Sequence, residues 1–388
     1  MISIKTKDQC CGCGSCYSIC QKHCIEMSED EEGFLYPTIN KEACIGCNLC
    51  RERCPMLNVK DKSNTRVFGA YANDKDIVQN SSSGGIFSLL SKIILDNNGL
   101  VYGAKFDDQF NVIHDYIEKY EEIDLLRGSK YTQSNLVDTF CKIKLNLINK
   151  RIVLFSGTPC QIAGLKSYLK EDYENLYCID IVCHGVPSNK VYKDYLNLLQ
   201  KKYNSDIQYI NFRNKKEGWE NYNIIIKFKN GKEIIEKGTD NIYMKGFLSN
   251  IYIRPSCTKC KFKDFRSKSD ITLGDFWGIN HIDYEFYNNE GVSLVCINSE
   301  KGLNLFNQVS KEDILIKEYS IEDGAKENTC LVKSTEYNKN RLKFFNKYNG
   351  FNIETLVKKY TKISNYLKFK KNIYKVKYKM KIIIRRLI

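Results

Sequence analysis

A chain of 388 residues with 18 cysteines and a formal net charge of +14 has room for two or three domains and a large core. No apolar run approaches the roughly 20 residues that a bilayer span needs, and no charged-then-apolar leader precedes Cys10, so the cysteines are expected in a reducing, cytoplasmic setting rather than in disulfides. The charge is concentrated: Leu356–Ile388 holds twelve Lys and Arg and no acid, the remainder is near +2, and no stacking or base-reading module accompanies the tail, which speaks against nucleic-acid binding.

The first 54 residues contain one cysteine pattern twice. Cys10, Cys13, Cys16 and Cys20 follow Cys-x2-Cys-x2-Cys-x3-Cys, and Cys44, Cys47, Cys50 and Cys54 repeat it with Pro55 trailing. Three cysteines on one tight loop supply a corner of a cubane 4Fe–4S cluster, and in two-cluster ferredoxins the last cysteine of each run crosses to the other cluster. The expected ligand sets are therefore Cys10, Cys13, Cys16 and Cys54 for one cluster, and Cys44, Cys47, Cys50 and Cys20 for the other. Cys-x2-Cys pairs also hold zinc, but zinc has no use for a third cysteine at the same step followed by x3-Cys-Pro. Residues 1–58 thus read as a ferredoxin-like domain, with Lys60–Thr65 as a polar linker.

From Val67 strands and helices alternate. Val67–Ala72 reads as a strand. Ser81-Ser-Ser-Gly-Gly85 opens a helix carrying Ile86, Leu89, Leu90, Ile93 and Ile94 at helical spacing, closed by Gly99. Strands follow at Leu100–Phe106 and Val112–Ile117, then a helix over Leu136–Leu147 and a buried strand at Arg151–Phe155. Thr158-Pro159 starts the next helix as N-cap and first-turn proline. Leu176–Val182 is a strand, Tyr222–Phe228 and Glu233–Glu236 flank the hairpin signal Asn230-Gly231, and Ile271–Phe276 and Val292–Asn298 add two strands. The fold class is α+β: a small ferredoxin domain followed by a mixed β-sheet domain with flanking helices.

Four further cysteines sit where loops leave these elements. Cys160 lies in the first turn of a helix, where backbone dipoles favour thiolate; Cys183 follows a strand; Cys257 and Cys260 form a Cys-x2-Cys pair. Together they could make a third cluster, a zinc site or unconnected thiols. Cys24, Cys141, Cys178, Cys296 and Cys330 read as small buried hydrophobes, and Cys11 as a bystander. Ser81–Gly85 offers flexible backbone N–H groups at a helix start, suited to a diphosphate or simply a capping loop. Arg127-Gly-Ser-Lys-Tyr131 adds two cations and a ring. Arg213 and Trp219 could meet an anionic planar ligand, or be a surface cation and a packing ring. His23, His114 and His281 have no partners at ligand spacing. The basic tail, interleaved with Ile, Tyr, Leu and Phe, could lie on an anionic membrane surface, dock on an acidic partner or simply be solvated.

The stretches Ser81-Ser-Ser-Gly-Gly-Ile-Phe, Arg127-Gly-Ser-Lys-Tyr-Thr-Gln-Ser, Phe155-Ser-Gly-Thr-Pro-Cys-Gln-Ile-Ala-Gly, Val182-Cys-His-Gly-Val-Pro, Cys257-Thr-Lys-Cys and Ser269-Asp-Ile-Thr-Leu-Gly-Asp-Phe-Trp-Gly resemble, in order, the beta subunit of coenzyme F-420 hydrogenases and dehydrogenases. Gly291-Val-Ser-Leu-Val is similar to the C-terminal region of that family. The resemblance implies a flavoprotein that binds FAD beside a 4Fe–4S cluster held by Cys160, Cys183, Cys257 and Cys260, with Ser83, Gly84 and Gly85 and the loop Gly128, Ser129, Lys130 and Tyr131 near the flavin. It assigns 67–340 to that oxidoreductase domain and leaves 341–388 as a basic C-terminal extension. The implied function is electron transfer between a hydride-carrying substrate, the deazaflavin coenzyme or another organic molecule, and one-electron carriers, with a redox protein or small-molecule carrier as partner. No catalytic residue is singled out. The alternatives are an electron-transfer subunit without flavin chemistry and a zinc-stabilised interaction protein. The expected location is cytoplasmic, with the tail allowing peripheral contact with the inner membrane surface.

Overall fold

Alternating apolar residues on short strands build the core of the large domain. In a computed structural model, which describes residues 1–136 and 138–361, the strands are β1 (Ile25–Glu29), β2 (Leu35–Ile39), β3 (Arg66–Ala72), β4 (Leu100–Phe106), β5 (Val112–Ile117), β6 (Val153–Gly157), β7 (Leu176–Ile181), β8 (Ile207–Asn214), β9 (Asn223–Phe228), β10 (Glu233–Lys237), β11 (Ile271–Asp275), β12 (Ser293–Ile297) and β13 (Ile314–Tyr319). Eight of them form one mixed sheet in the order β13-β3-β12-β11-β7-β6-β4-β5. Its centre is parallel, with Leu100 opposite Val153, Val153 opposite Leu176 and Ile271 opposite Ile179. The outer pairs are antiparallel.

Both faces of the central strands are covered, as parallel sheets require. On one face Val101, Leu154 and Ile179 meet Leu89, Leu90 and Ile94 of the helix Ile86–Asp96. On the other, Leu100, Tyr102, Val153, Phe155 and Leu176 pack with Phe140 and Ile143 of the helix Thr139–Ile148 and with Ile162 and Leu165 of Pro159–Leu169. Successive residues serve opposite faces because strand side chains alternate.

A second core surrounds the three-stranded sheet β10-β9-β8. Here the helix Asn189–Tyr203, N-capped by Ser188, supplies Val191, Tyr192 and Leu196. Phe344, Ile353 and Val357 pack into the same core, so residues 341–361, counted with the basic extension in the sequence, are part of the folded body. The charge-rich tail beyond them lies outside the described residues. No helix among the described residues is long and apolar enough to cross a membrane.

Several boundaries differ from expectation. The helix expected from Leu136 starts at Thr139, and the strand expected from Arg151 starts at Val153, where pairing with Leu100 and Leu176 begins. The Asn230-Gly231 signal does join an antiparallel pair, with Gly231 at φ +82°. The helices Asn189–Tyr203 and Ile242–Leu248 and the strands β8 and β13 went unread in the sequence.

Candidate metal centre

The first 58 residues fold the same turn twice. Gly12 and Gly46 (φ +69° and +71°) and Gly14 and Asn48 (φ +74° and +62°) are all left-handed, a conformation that costs glycine nothing. Gly14 and Asn48 then begin the one-turn helices Ser15–Ser18 and Leu49–Glu52, which carry Cys16 and Cys50. Cys13, Cys16 and Cys50 are buried, Cys10, Cys20, Cys44 and Cys54 are half-buried, and Cys47 is exposed. The Gly12 amide donates to Cys10 Sγ (3.4 Å) and the Ile2 amide to Cys50 Sγ (3.3 Å). Burial, then the charges of Cys10 and Cys54, pushes the Cys16 thiol up to about 12. Burial first, with Cys10 contributing, raises Cys54 as well. Cys54 therefore sits with the first run. At the far end Cys20 Sγ lies 3.3 Å from Cys24 Sγ, and Cys24 also meets Cys44, so Cys24 is a neighbour of two expected ligands rather than an unconnected hydrophobe.

The other cysteines stand at the carboxyl edge of the parallel strands, where open α/β sheets bind ligands. Cys160 follows β6 and Cys183 follows β7, while Cys257 and Cys260 come from the one-turn helix Pro255–Lys259 and the residue after it. All four are half-buried. Burial pushes Cys257 up to about 12, and Cys160 and Cys260 add repulsion; Cys183 is raised by burial and then by Cys257, Cys160 and Cys260, against the nearby Lys263 charge. The Val186 amide donates to Cys257 Sγ (3.4 Å), and Thr158 Oγ1 lies 3.1 Å from Cys160 Sγ. The expected thiolate character of Cys160 does not hold: its hydrogen bond with Cys11, and then burial, pushes the thiol well up. Cys11 is accordingly no bystander. It touches Cys13 and Cys160, and Cys13, Cys54, Cys160 and Cys260 share one apolar cluster with Met56 and Phe262. The two cysteine sets are contiguous.

Among the described residues no three His, Cys, Asp or Glu side chains converge closely enough to hold a single metal ion. The donor chemistry nonetheless fits a metal group: thiols that repel one another as thiolates ionise together only when a bound cation offsets their charge. Of the remaining cysteines, Cys178 and Cys296 are core residues, Cys141 is exposed against expectation, and Cys330 Sγ lies 3.6 Å from His184 Nδ1. His114 is a satisfied core histidine bonded to Ser134 Oγ and the Ser156 carbonyl.

The glycine- and serine-rich loops meet at the same sheet edge. Ser82 Oγ lies 2.9 Å from Ser129 Oγ and accepts from the Ser129 amide. Ser83 Oγ donates to the Val292 carbonyl, and Gly84 N donates to Ser293 Oγ. Arg213 is buried and forks onto Asp275 (2.9 and 3.0 Å), with a further bond to the Ser82 carbonyl and contact with the Tyr131 hydroxyl. Trp219, fully buried, stacks on Trp277 at 4.7 Å and donates to Asp275 Oδ1. Lys130, lowered to about 7 by burial, turns back onto the carbonyls of Leu125, Leu126, Arg127 and Gly128.

A side chain at Gly84 would strike the Ala70 carbonyl at 2.5 Å, and one at Gly85 would strike Ile77 at 2.7 Å. Both glycines are thus demanded by protein packing. At Gly128 (φ +84°) the corresponding space is open. Asp275, Trp277 and Lys215, which holds the Val78, Ser83 and Glu290 carbonyls, complete this cluster. Asp275 and Trp277 were legible only as part of the stretch Ser269–Gly278.

The doubled cysteine turn joined to a mixed sheet defines an iron–sulfur electron-transfer protein. Residues 150–323 belong to the family described as the C-terminal part of the beta subunit of coenzyme F420 hydrogenase/dehydrogenase, and residues 9–58 to the 4Fe-4S dicluster domain. The chain is 25% identical over 323 residues to the coenzyme F420-dependent sulfite reductase of Methanocaldococcus jannaschii, a match covering 80% of this chain and 47% of that protein. Its N-terminal part is 38% identical over 52 residues to an uncharacterised ferredoxin of the same organism, covering 13% of this chain and 66% of that one. It is 32% identical over 54 residues to the pyruvate synthase subunit PorD of Methanothermobacter marburgensis, covering 14% and 57%. The chain spans about half to two-thirds of the length of these relatives. A chain of the F420-reducing [NiFe] hydrogenase complex of Methanosarcina barkeri is similar at a TM-score of 0.46 and 16% identity, covering 70% of this chain and 92% of that one.

Proposed function

We propose that this chain is a flavin-dependent iron–sulfur oxidoreductase that passes electrons between a hydride-carrying substrate and a one-electron carrier through three 4Fe–4S clusters. The observation that carries the reading is the contiguity of Cys11, Cys13 and Cys54 with Cys160 and Cys260 at the carboxyl edge of the sheet. Bound flavin would take the two electrons of a hydride together and release them singly to clusters that carry one each.

The chain's own residues supply the rest. Ser82, Ser129, Tyr131 and the Arg213–Asp275 pair form a polar wall beside the stacked Trp219–Trp277 rings, suited to a planar ligand bearing anionic groups. Cys160, Cys183, Cys257 and Cys260 would hold the inner cluster. Cys10, Cys13, Cys16 and Cys54 would hold the next, and Cys44, Cys47, Cys50 and Cys20 the outer one. Exposed Cys47, Ile45 and Leu57 give a redox protein an apolar landing beside that outer group. The sulfite reductase relative and the matched family make the deazaflavin coenzyme the first hydride carrier to test, and a larger assembly the expected setting. One observation favours electron transfer without flavin: the donors of Lys130 and most of those of Arg213 are already taken by protein.

The test is iron, zinc and flavin analysis of the full chain purified without oxygen. About twelve iron atoms, four per cluster, and one flavin per chain are expected. Cys257→Ala should remove about four irons and leave the N-terminal clusters. Eight irons with zinc would refute the inner cluster, and full iron without flavin would leave a relay subunit.

A further inference from the structure

We propose that Arg254 couples the two inner clusters electrostatically: its buried guanidinium, set between the ligands Cys10 and Cys257, favours the added electron on both and so sets the step between them. The inference rests on the proposed function, in that it takes both thiol sets as cluster ligands.

Arg254 is fully buried, yet every hydrogen bond it makes ends on a neutral acceptor. Nε donates to the Cys10 carbonyl (2.8 Å), Nη2 to the Leu35 carbonyl (2.8 Å) and Nη1 to Gln133 Oε1 (3.1 Å). Its planar head lies over Tyr36 (4.4 Å) and Phe34 (5.6 Å). The other buried arginines behave differently: Arg213 pairs with Asp275 and Arg341 with Glu32. Among the described residues no carboxylate forms an ion pair with Arg254. A buried charge without a counterion is costly enough that an anion is expected beside it. Apart from the Tyr36 hydroxyl, the ionisable groups that favour its charge are the thiols of Cys10, Cys11 and Cys257.

The seat is built for the guanidinium. Gly12 carries no side chain, and a Cβ there would lie 2.7 Å from Arg254 Nη1. The arginine backbone is tied on both sides: its amide donates to the Val186 carbonyl (2.8 Å), and its carbonyl accepts from the Cys257 amide (3.0 Å). Gln133 fixes the remaining side, its Nε2 donating to the Cys11 carbonyl. The residue therefore touches the first cysteine loop with its head and the third ligand set with its backbone.

A cluster held by four thiolates is anionic and gains one negative charge on reduction, so a fixed cation nearby stabilises the reduced form most where water is excluded. One electron moves, and no bond forms or breaks. The cluster of Cys44, Cys47, Cys50 and Cys20 has no such partner in Arg254, so the cation separates the two inner potentials from the outer one.

The experiment is a redox titration, followed by electron paramagnetic resonance, of the anaerobic full-length holoprotein and its variants. Arg254→Met should keep its iron while the reduction constants of two clusters fall at least tenfold, about 59 mV for a one-electron couple, with the third unmoved. Arg254→Lys keeps the charge and should recover most of the loss. Gln133→Glu, which places a carboxylate against the guanidinium without removing it, should lower the same two potentials and decides the matter if Arg254→Met does not fold. Three unmoved potentials in an iron-replete variant, or three that shift equally, would overturn the coupling. Eight irons in the unaltered protein would instead defeat the three-cluster reading and the coupling with it.

Discussion

Glu32 and Arg341 offer the sharpest test of how the cysteine-rich module is seated. Glu32 lies in the turn between β1 and β2, and its carboxylate takes both terminal nitrogens of Arg341, with the two side chains 8% and 3% exposed. Arg341 also donates from Nε to the Ile253 carbonyl, and Ser188 Oγ donates to the Glu32 carbonyl. Glu32→Ala would leave the arginine buried without its anion, which costs about 3–5 kcal/mol, a shift of roughly two to three and a half decades in the folding equilibrium. Replacing both partners, Glu32→Leu with Arg341→Met, should recover most of that, because an apolar pair of similar volume is often neutral. Urea unfolding of the two single variants and the double variant gives the coupling energy. A cost below about 1 kcal/mol for Glu32→Ala, the range of exposed pairs, would refute the reasoning, as would a double variant no better than the sum of the singles.

Cys54→Ala should damage the cluster of Cys10, Cys13 and Cys16, seen as loss of about four irons; loss confined to the Cys44–Cys50 cluster would reject the crossed arrangement. Gly84→Ala should destabilise the fold by about 1–3 kcal/mol, because its Cβ would meet the Ala70 carbonyl at 2.5 Å; Gly128→Ala, with open space but φ +84°, should cost about 1 kcal/mol, both read by thermal unfolding. Acid response should reveal two opposed groups. Burial lowers His114 to about 4, so its contribution is complete above pH 6.5 and is lost as pH falls toward 4. Burial raises Asp180 to about 6, so protonation below that pH favours the fold and offsets the loss. Asp180→Asn removes the offset and should lose about 2–3 kcal/mol more than the parent between pH 6.5 and 4; equal acid sensitivity would exclude this balance.

The doubled cysteine turn was legible because cluster ligation dictates spacing residue by residue, and the same spacing marks Gly12, Gly14 and Gly46 as turn positions. The central parallel strands were legible as short apolar runs. The helix Asn189–Tyr203 was passed over because its apolar face is tyrosine-rich and alternates with lysines, which blurs the helical period. Arg254 and Gln133 carried no local signal, since their roles come from partners more than a hundred residues away. Cys11 and Cys24 were misjudged because spacing identifies the residues that fit a pattern and says nothing of extra thiols folded in beside them. Cys160 was misjudged for a related reason: a helix start argues for thiolate, but a second buried thiol against it argues more strongly.

The way the first module is held has a consequence for how the protein is made. Its seat is formed by Ser188, Arg254 and Arg341, the last 309 residues along the chain from Glu32. A ribosome releases the cysteine loops long before it releases their dock, so during synthesis the loops must wait, folded around their own metal or open to other thiols. Contacts of such separation form late and slowly. Delivery of iron and sulfide to the nascent N-terminus therefore competes with premature capture of Cys11 and Cys13 by neighbouring thiols, and the order of those events decides whether the finished chain conducts electrons.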